Sequence, residues 1–283
     1  MTLQKYISRI ESFKDKKIIL TGGTSGIGLE LLKILIQKEA KVVLLVRNIE
    51  KASHVKEAII KDYPNADISF VNYDQSDYEL IDSAVKEIKA HHFDFDAIVC
   101  NAGIMLPPKE DKSKQGFPLT IDTNFLGLKR FLDQLVNSFQ NKRFVLQGSL
   151  MANAKIKENH DIYSDKYPLF KQYNVSKACV ESLFYYYLNN NLDNEFILTE
   201  PGVAGTDIIR YMKQPIKAMG WVFMRMFSHS AKKASLTLLL GLTSQSKNGS
   251  FIVPRGLFAI RGYPKYKKFP NKRKREFLIN KVK

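Results

Sequence analysis

The stretch "ILTGGTSGIGLELL", from Ile19 to Leu32, decides the fold. It begins with apolar residues of strand type, passes through a glycine-dense turn and ends in Leu and Glu, which favour helix. Gly22, Gly26 and Gly28 stand in the spacing Gly-x-x-x-Gly-x-Gly, not the commoner Gly-x-Gly-x-x-Gly. A strand that turns this tightly into a helix brings phosphates close to backbone N–H groups at the helix N-terminus. Glycine is required wherever a Cβ would block that approach or φ must be positive. Three glycines alone say little, but between a first strand and a first helix they point to a nucleotide site rather than a mere tight turn.

Outward from that turn, strand-like apolar runs alternate with segments of helical length. Lys17 to Leu20, Val42 to Val46, Ile68 to Tyr73, Ala97 to Cys100, Phe144 to Gln147 and Glu195 to Thr199 read as six strands, with Ser250 to Val253 as a seventh. Helices are expected over Gly26 to Lys38, Ile49 to Asp62, Tyr78 to Ala90, Thr120 to Ser138 and Phe170 to Asn190. The N-terminal Ile7, Ile10 and Phe13 fit a short amphipathic helix at the domain edge. This alternation predicts an α/β fold: a doubly wound parallel sheet with helices on both faces. No Pro/Gly-rich linker and no internal repeat divides the 283 residues, so one domain is expected, with its core at about 16–253.

Composition narrows the function. The apolar runs Val42 to Val46 and Leu236 to Leu242 are too short to span a bilayer, and the charged N-terminus lacks a secretory apolar core. Two cysteines, Cys100 and Cys179, and five scattered histidines make neither a disulfide framework nor a metal site, which favours a reducing cytoplasm. The net charge of +16 is concentrated at the end: residues 261–283 hold ten Lys/Arg and one Glu, a local +9. Three readings of that basic run compete: a solvated tail, a peripheral contact with an anionic membrane, and a nucleic-acid contact, the last without any binding motif.

The second strand ends in Arg47, 19 residues beyond Gly28, followed by Asn48. In dinucleotide folds an acid there takes the adenosine ribose 2′-hydroxyl, whereas a basic residue accommodates a 2′-phosphate. Arg47 therefore favours NADP(H) over NAD(H), through a guanidinium that pairs bidentately with phosphate. Further along, "QYNVSKACVESL" places Tyr173 and Lys177 one helical turn apart on one face. A phenol titrates near pH 10, and a neighbouring ammonium is expected to bring that value toward the working range of an acid/base catalyst. In isolation the pair is ordinary helix surface.

With these pieces in order, the chain resembles the short-chain dehydrogenase/reductase family over roughly Lys16 to Val253, and within it the retinol-dehydrogenase-like branch. The cofactor turn is "TGGTSGIG", whose Thr21, Gly22, Thr24, Ser25, Gly26, Ile27 and Gly28 match. Asp74 matches the acid that contacts adenine, and Asn101, Ala102 and Gly103 the "NAG" motif. Asn124 in "TNFLG", Ser149 in "QGSL", Tyr173 and Lys177 match the catalytic set, and Pro201, Gly202, Val203 and Thr206 in "PGVAGT" the segment that closes on the nicotinamide. The resemblance implies a Rossmann-type sheet, NADP(H) as cofactor, and hydride transfer between nicotinamide and a carbonyl or alcohol. Tyr173 would then move the proton, and Lys177 would hold the ribose hydroxyls. Ser149 would bond the substrate oxygen, while Asn124 would support a relay water. It also implies a homodimer, paired through the helices of Asn124 and Tyr173, with Phe184 to Tyr187 as such a surface or as core.

Ser149 and Tyr173 stand 24 residues apart, about twice the spacing of compact members, because a charged segment intervenes. That insert, with "VRN" after the second strand, is similar to the retinol-dehydrogenase-like branch, which often takes apolar aldehydes and ketones. The Met- and aromatic-rich run from Met212 to Phe227 suits an apolar lid or, equally, a helix pair packed on the core. The alternative to an enzyme is a non-catalytic NADP(H) sensor, which would have no need of a proton relay.

Overall fold

The computed structural model describes residues 2–107, 111–153, 155–158, 160–164, 166–204, 228–273 and 275–280. A mostly parallel sheet of eight strands runs through the molecule: β1 (Lys17–Thr21), β2 (Lys41–Val46), β3 (Ile68–Asn72), β4 (Ala97–Cys100), β5 (Arg143–Gln147), β6 (Glu195–Thr199), β7 (Phe251–Pro254) and β8 (Pro264–Lys267). Their order is β3-β2-β1-β4-β5-β6-β7-β8. The strand order reverses between β1 and β4, so a crevice opens outside their carboxyl ends, where ligands bind in such sheets.

Both faces of the sheet are covered, which is why its strands read as continuous apolar runs. Successive residues feed opposite cores. Ile18 and Leu20 of β1, with Val42, Leu44 and Val46 of β2, pack on α2 (Gly26–Gln37) through Leu31, Leu32 and Leu35. Ile19, Val43 and Leu45 face the other way, toward α4 (Tyr78–His91), α6 (Gly127–Val136) and α7 (Leu169–Asn190). The remaining α-helices among the described residues are α1 (Leu3–Ser8), α3 (Ile49–Asp62), α5 (Leu119–Ile121), α8 (Ala231–Ala234) and α9 (Leu236–Leu242). Ile7, Ile10 and Phe13 are buried at the edge of the first core.

Three features add to the sequence expectation, the second falling within a choice it left open. The helix expected over Thr120 to Ser138 is interrupted by a π-helical turn, Asp122–Leu126. Widening a helix by one residue frees a carbonyl, and the Gln75 amide answers it by donating to Thr123 O at 2.5 Å. Next, Phe184 and Tyr187 are buried core residues, while Tyr186 is partly exposed. Last, the described part of the basic run lies on the fold and is not a free tail. Pro264 opens β8, an edge strand antiparallel to β7 in which the missing proline N–H costs nothing. Phe269 stands edge-on to Phe251 and Phe184, and Arg273 and Arg275 are buried, whereas Lys265, Lys267 and Lys268 remain exposed. The Met212 to Phe227 run falls outside the described residues. Among the described residues no helix is long and apolar enough to cross a membrane.

Candidate active site

The glycine turn forms one end of a cleft of about 270 Å³. Gly22 has φ 69°, and a Cβ on Gly28 would stand 2.2 Å from Gly22 O, so neither position accepts a side chain. Ser25 precedes α2 in extended conformation with no side-chain bond to the first turn. The N–H groups of that turn therefore remain for an anion. Gly22, Thr24, Ser25, Gly26, Ile27 and Gly28 line this end, and Asn101, Ala102 and Gly103 the wall that adjoins it.

Thr21 plays a different part from the one expected. It is fully buried beneath the cleft, and its Oγ1 accepts from Asn101 N (3.0 Å) and Ala102 N (2.9 Å) while donating to Val99 O. The Asn101 side-chain amide returns the tie by donating to Thr21 O and Gly22 O, at 3.0 and 3.1 Å. Thr21 thus latches the turn after β1 to the turn after β4 and makes no wall.

At the far end stand Arg47, Asn48 and Asp74, joined by Lys51. Asn48 caps α3, its Oδ1 accepting from Lys51 N at 2.7 Å. Asp74 Oδ1 accepts from Ser76 N and Ser76 Oγ, and the Arg47 guanidinium lies 3.7 Å from the other oxygen. Arg47 is largely exposed and leans on this carboxylate loosely. Sequence reasoning missed Lys51; the signal was its place one turn after Arg47, in the first turn of α3.

None of the four catalytic candidates lines the cleft itself; Asn124 and Lys177 stand directly behind its Gly103, Ile104 and Gln147 wall. Lys177 Nζ donates to Gln147 O at 3.0 Å and is buried. Asn124, in the π-helical turn, donates from Nδ2 to Ile104 O (2.9 Å) and Ser176 Oγ (3.0 Å), and its Oδ1 accepts from Ile104 N (2.8 Å). Ser176 Oγ passes the connection on by donating to Tyr173 O at 2.8 Å. π-turns often mark functional sites because they re-aim one side chain, and here that side chain is Asn124. Its amide is occupied in holding the turn after β4 against α7. Ser176 was invisible to sequence reading, since nothing local marks a helix serine as a link between distant segments.

Tyr173 is buried, and the Ser149 hydroxyl lies near enough to act on its phenol. The 24-residue separation of the two in sequence therefore does not part them in space. The electrostatics differ from expectation. Burial pushes the Tyr173 phenol above its usual range, and the Ser149 hydroxyl pulls it partly back. The same burial pushes Lys177 down to about 8. Lys177 is turned onto Gln147 O, and desolvation is the largest influence on both groups. At neutral pH the site therefore holds a protonated phenol beside a cation that is readily discharged.

Pro201, Gly202 and Val203 do not line the cleft. Pro201 O is bonded to the His229 ring at 2.6 Å and Val203 N donates to Ile260 O. Thr206 lies outside the described residues. The residues present fit a dinucleotide: a cradle that admits no Cβ, two cations at the far end, and a buried Gln147 Oε1 without a partner on the wall between.

The sequence profile of the family described as short chain dehydrogenase matches residues 16–214. The chain belongs to the short-chain dehydrogenase family. Membership makes it an oxidoreductase by family. A short-chain dehydrogenase/reductase of Armillaria gallica is 28% identical over 270 residues, covering 88% of this chain and 84% of the relative. Human retinol dehydrogenase 11 is 27% identical over 239 residues, covering 81% and 73%. A crystal structure of a Mycobacterium paratuberculosis protein superposes with a TM-score of 0.71 at 19% identity, covering 95% and 91%. A Burkholderia cenocepacia short-chain dehydrogenase in complex with NADP has a TM-score of 0.67 at 18% identity, covering 85% and 96%. At such identities these structures establish the fold of this short-chain dehydrogenase, and the fold only.

Proposed function

We propose that this short-chain dehydrogenase is an NADP(H)-dependent oxidoreductase that reduces an apolar aldehyde or ketone, or oxidises the corresponding alcohol. The observation that carries the reading is Lys177 Nζ on the carbonyl of Gln147, a residue of the glycine-lined cleft, one helical turn from the buried Tyr173 phenol on which Ser149 acts. A bound nicotinamide nucleotide supplies the hydride chemistry. The protein's own part is proton delivery and charge stabilisation. Tyr173 Oη donates its proton to the carbonyl oxygen, Ser149 Oγ hydrogen-bonds that oxygen, and the Lys177 ammonium stabilises the phenolate left behind. A phenol kept protonated by burial suits this donor role at neutral pH. Asn124 serves by fixing Ile104 and Ser176 around the pair.

Arg47, with Lys51, supports the choice of NADP(H), since two cations and one carboxylate leave a net positive end to the cleft. Similarity to human retinol dehydrogenase 11 supports an apolar substrate. The test is NADPH oxidation over a panel of carbonyl compounds, with Tyr173→Phe as control. Turnover should fall by about 10²–10⁴ in the variant; equal turnover excludes the mechanism. In the same assay Arg47→Asp should weaken NADPH far more than NADH, and equal weakening removes the cofactor assignment.

A further inference from the structure

The basic run at residues 261–283 contributes two arginines to the interior, and both end at the segments that carry the catalytic hydroxyls. Arg273 is 4% exposed. Its Nε donates to Glu181 Oε2 at 2.8 Å, and its Nη2 bonds both Glu181 Oε1 and Glu200 Oε1. The guanidinium also lies over the rings of Phe251 and Phe269, at 5.4 and 5.8 Å from their centroids. Arg275, also buried, donates from Nη1 to Ala152 O at 2.8 Å.

The three acceptors are not arbitrary places. Glu181 is on α7, one turn beyond Lys177 and two beyond Tyr173, so the three share one stripe of the helix. A Cβ on Gly148 would stand 3.7 Å from Glu181 Oε1, which puts that carboxylate beneath the residue before Ser149. Glu200 immediately precedes Pro201. Ala152 closes the short turn that begins at Ser149, its N–H donating to Ser149 O at 3.0 Å. An arginine fork bound on two sides resists rotation in a way a single flexible ammonium does not. Proton transfer in turn needs its partners held to about half an ångström.

We propose that Arg273 and Arg275 are positioning residues for the Ser149–Tyr173–Lys177 group, joining the three chain segments around it; this deepens the oxidoreductase reading above and rests on it. Arg273 fixes the phase of α7 and the Glu200–Pro201 corner, and Arg275 fixes the loop of Ser149. Neither touches the cleft, so both act on turnover rather than on nucleotide affinity.

The test uses the full chain with NADPH and nonanal, together with amide hydrogen exchange. Arg275→Gln should lower kcat about tenfold while KM for NADPH stays within about twofold, because the Ala152 carbonyl that it holds belongs to the turn of Ser149 and not to the cleft. Exchange should quicken across residues 148–153 and stay unchanged in β1 and β2. Arg275→Lys, which can still donate to Ala152 O, should restore most of kcat, and the exposed-site control Lys268→Gln should match the wild type. If Arg275→Gln precipitates, Arg273→Lys takes its place; the loss of the fork should then quicken exchange in α7 around Glu181 and at 199–203. Wild-type kcat and exchange in the variant overturn the proposal, as does a uniform rise in exchange over the whole chain. If the wild-type protein oxidises no NADPH with any carbonyl, the enzyme reading falls. Exchange then decides the positioning role alone: loosening confined to 148–153 upholds it, and an unchanged pattern ends it.

Discussion

Two buried cations meet the same helix one turn apart, and the fold treats them in opposite ways. Lys177 is enclosed with neutral company: its ammonium donates to the Gln147 carbonyl, and burial pushes it down to about 8. Arg273 meets Glu181 and Glu200, two carboxylates for one guanidinium, all three inaccessible to water. A buried charge held by charged partners is costly to disturb, even though burial lowers Arg273 as well, to about 10. A buried charge without them carries its desolvation cost in the folded state and keeps its pull for whatever enters the site. The difference teaches which cation is kept for chemistry and which for architecture.

The sharpest way to break this comparison is to remove each cation and compare the signs. Arg273→Met leaves Glu181 buried without its counter-charge, and Glu200, which burial already pushes up to about 7, can take up a proton; a loss of about 3–5 kcal/mol is expected in urea unfolding at pH 7. Adding Glu181→Gln and Glu200→Gln should return much of it, because the stranded charge is then gone. A variant as stable as the wild type would mean that the arginine neutralises nothing.

Lys177→Met should act the other way, abolishing turnover while raising stability. The ordinary lysine value is 10.5 and the folded value about 8, so between them the unfolded chain binds the extra proton. At pH 7 the full cost of the buried cation is present, and it fades as pH rises from about 8 toward 10.5. After subtracting the lost bond to Gln147 O, a gain of about 1–3 kcal/mol is expected at pH 7, shrinking by pH 10. A destabilised variant with no such pH trend would put Lys177 among the structural cations.

The same contrast explains what could be read from the chain. The six strands from β1 to β6 and the seventh were legible to within about one residue, because buried parallel strands are uninterrupted apolar runs. The cleft was legible where backbone geometry demands a residue type, as at Gly22 and Gly28. Where a motif residue could serve either lining or support, as at Thr21, sequence did not distinguish them. The basic run was opaque for another reason. Its charges look like a solvated tail until Glu181 and Glu200, 92 and 73 residues from Arg273, are seen to receive it. No local pattern encodes a partner so far away. The π-helical turn was equally hidden, since its compensating donor, Gln75, stands 48 residues from Thr123.

The smallest expected effect is a titration that isolates Lys177 from every structural cation. If its charged form holds the nucleotide's ribose hydroxyls, NADPH affinity is fully present below pH 8 and falls as the proton leaves. Between pH 7 and pH 9 the dissociation constant should rise about tenfold, with a midpoint near the free-protein value of about 8. Tyr173 does not confuse the reading, because burial holds its phenol above the usual tyrosine range and it stays protonated through that interval. Lys177→Met should bind NADPH weakly and evenly over the same range, whereas Arg273→Lys should keep the wild-type slope, because residue 273 does not line the cleft. Fluorescence of bound NADPH measures all three. A flat wild-type profile would show that the ammonium is not what grips the nucleotide, and the chemical half of the comparison would be lost.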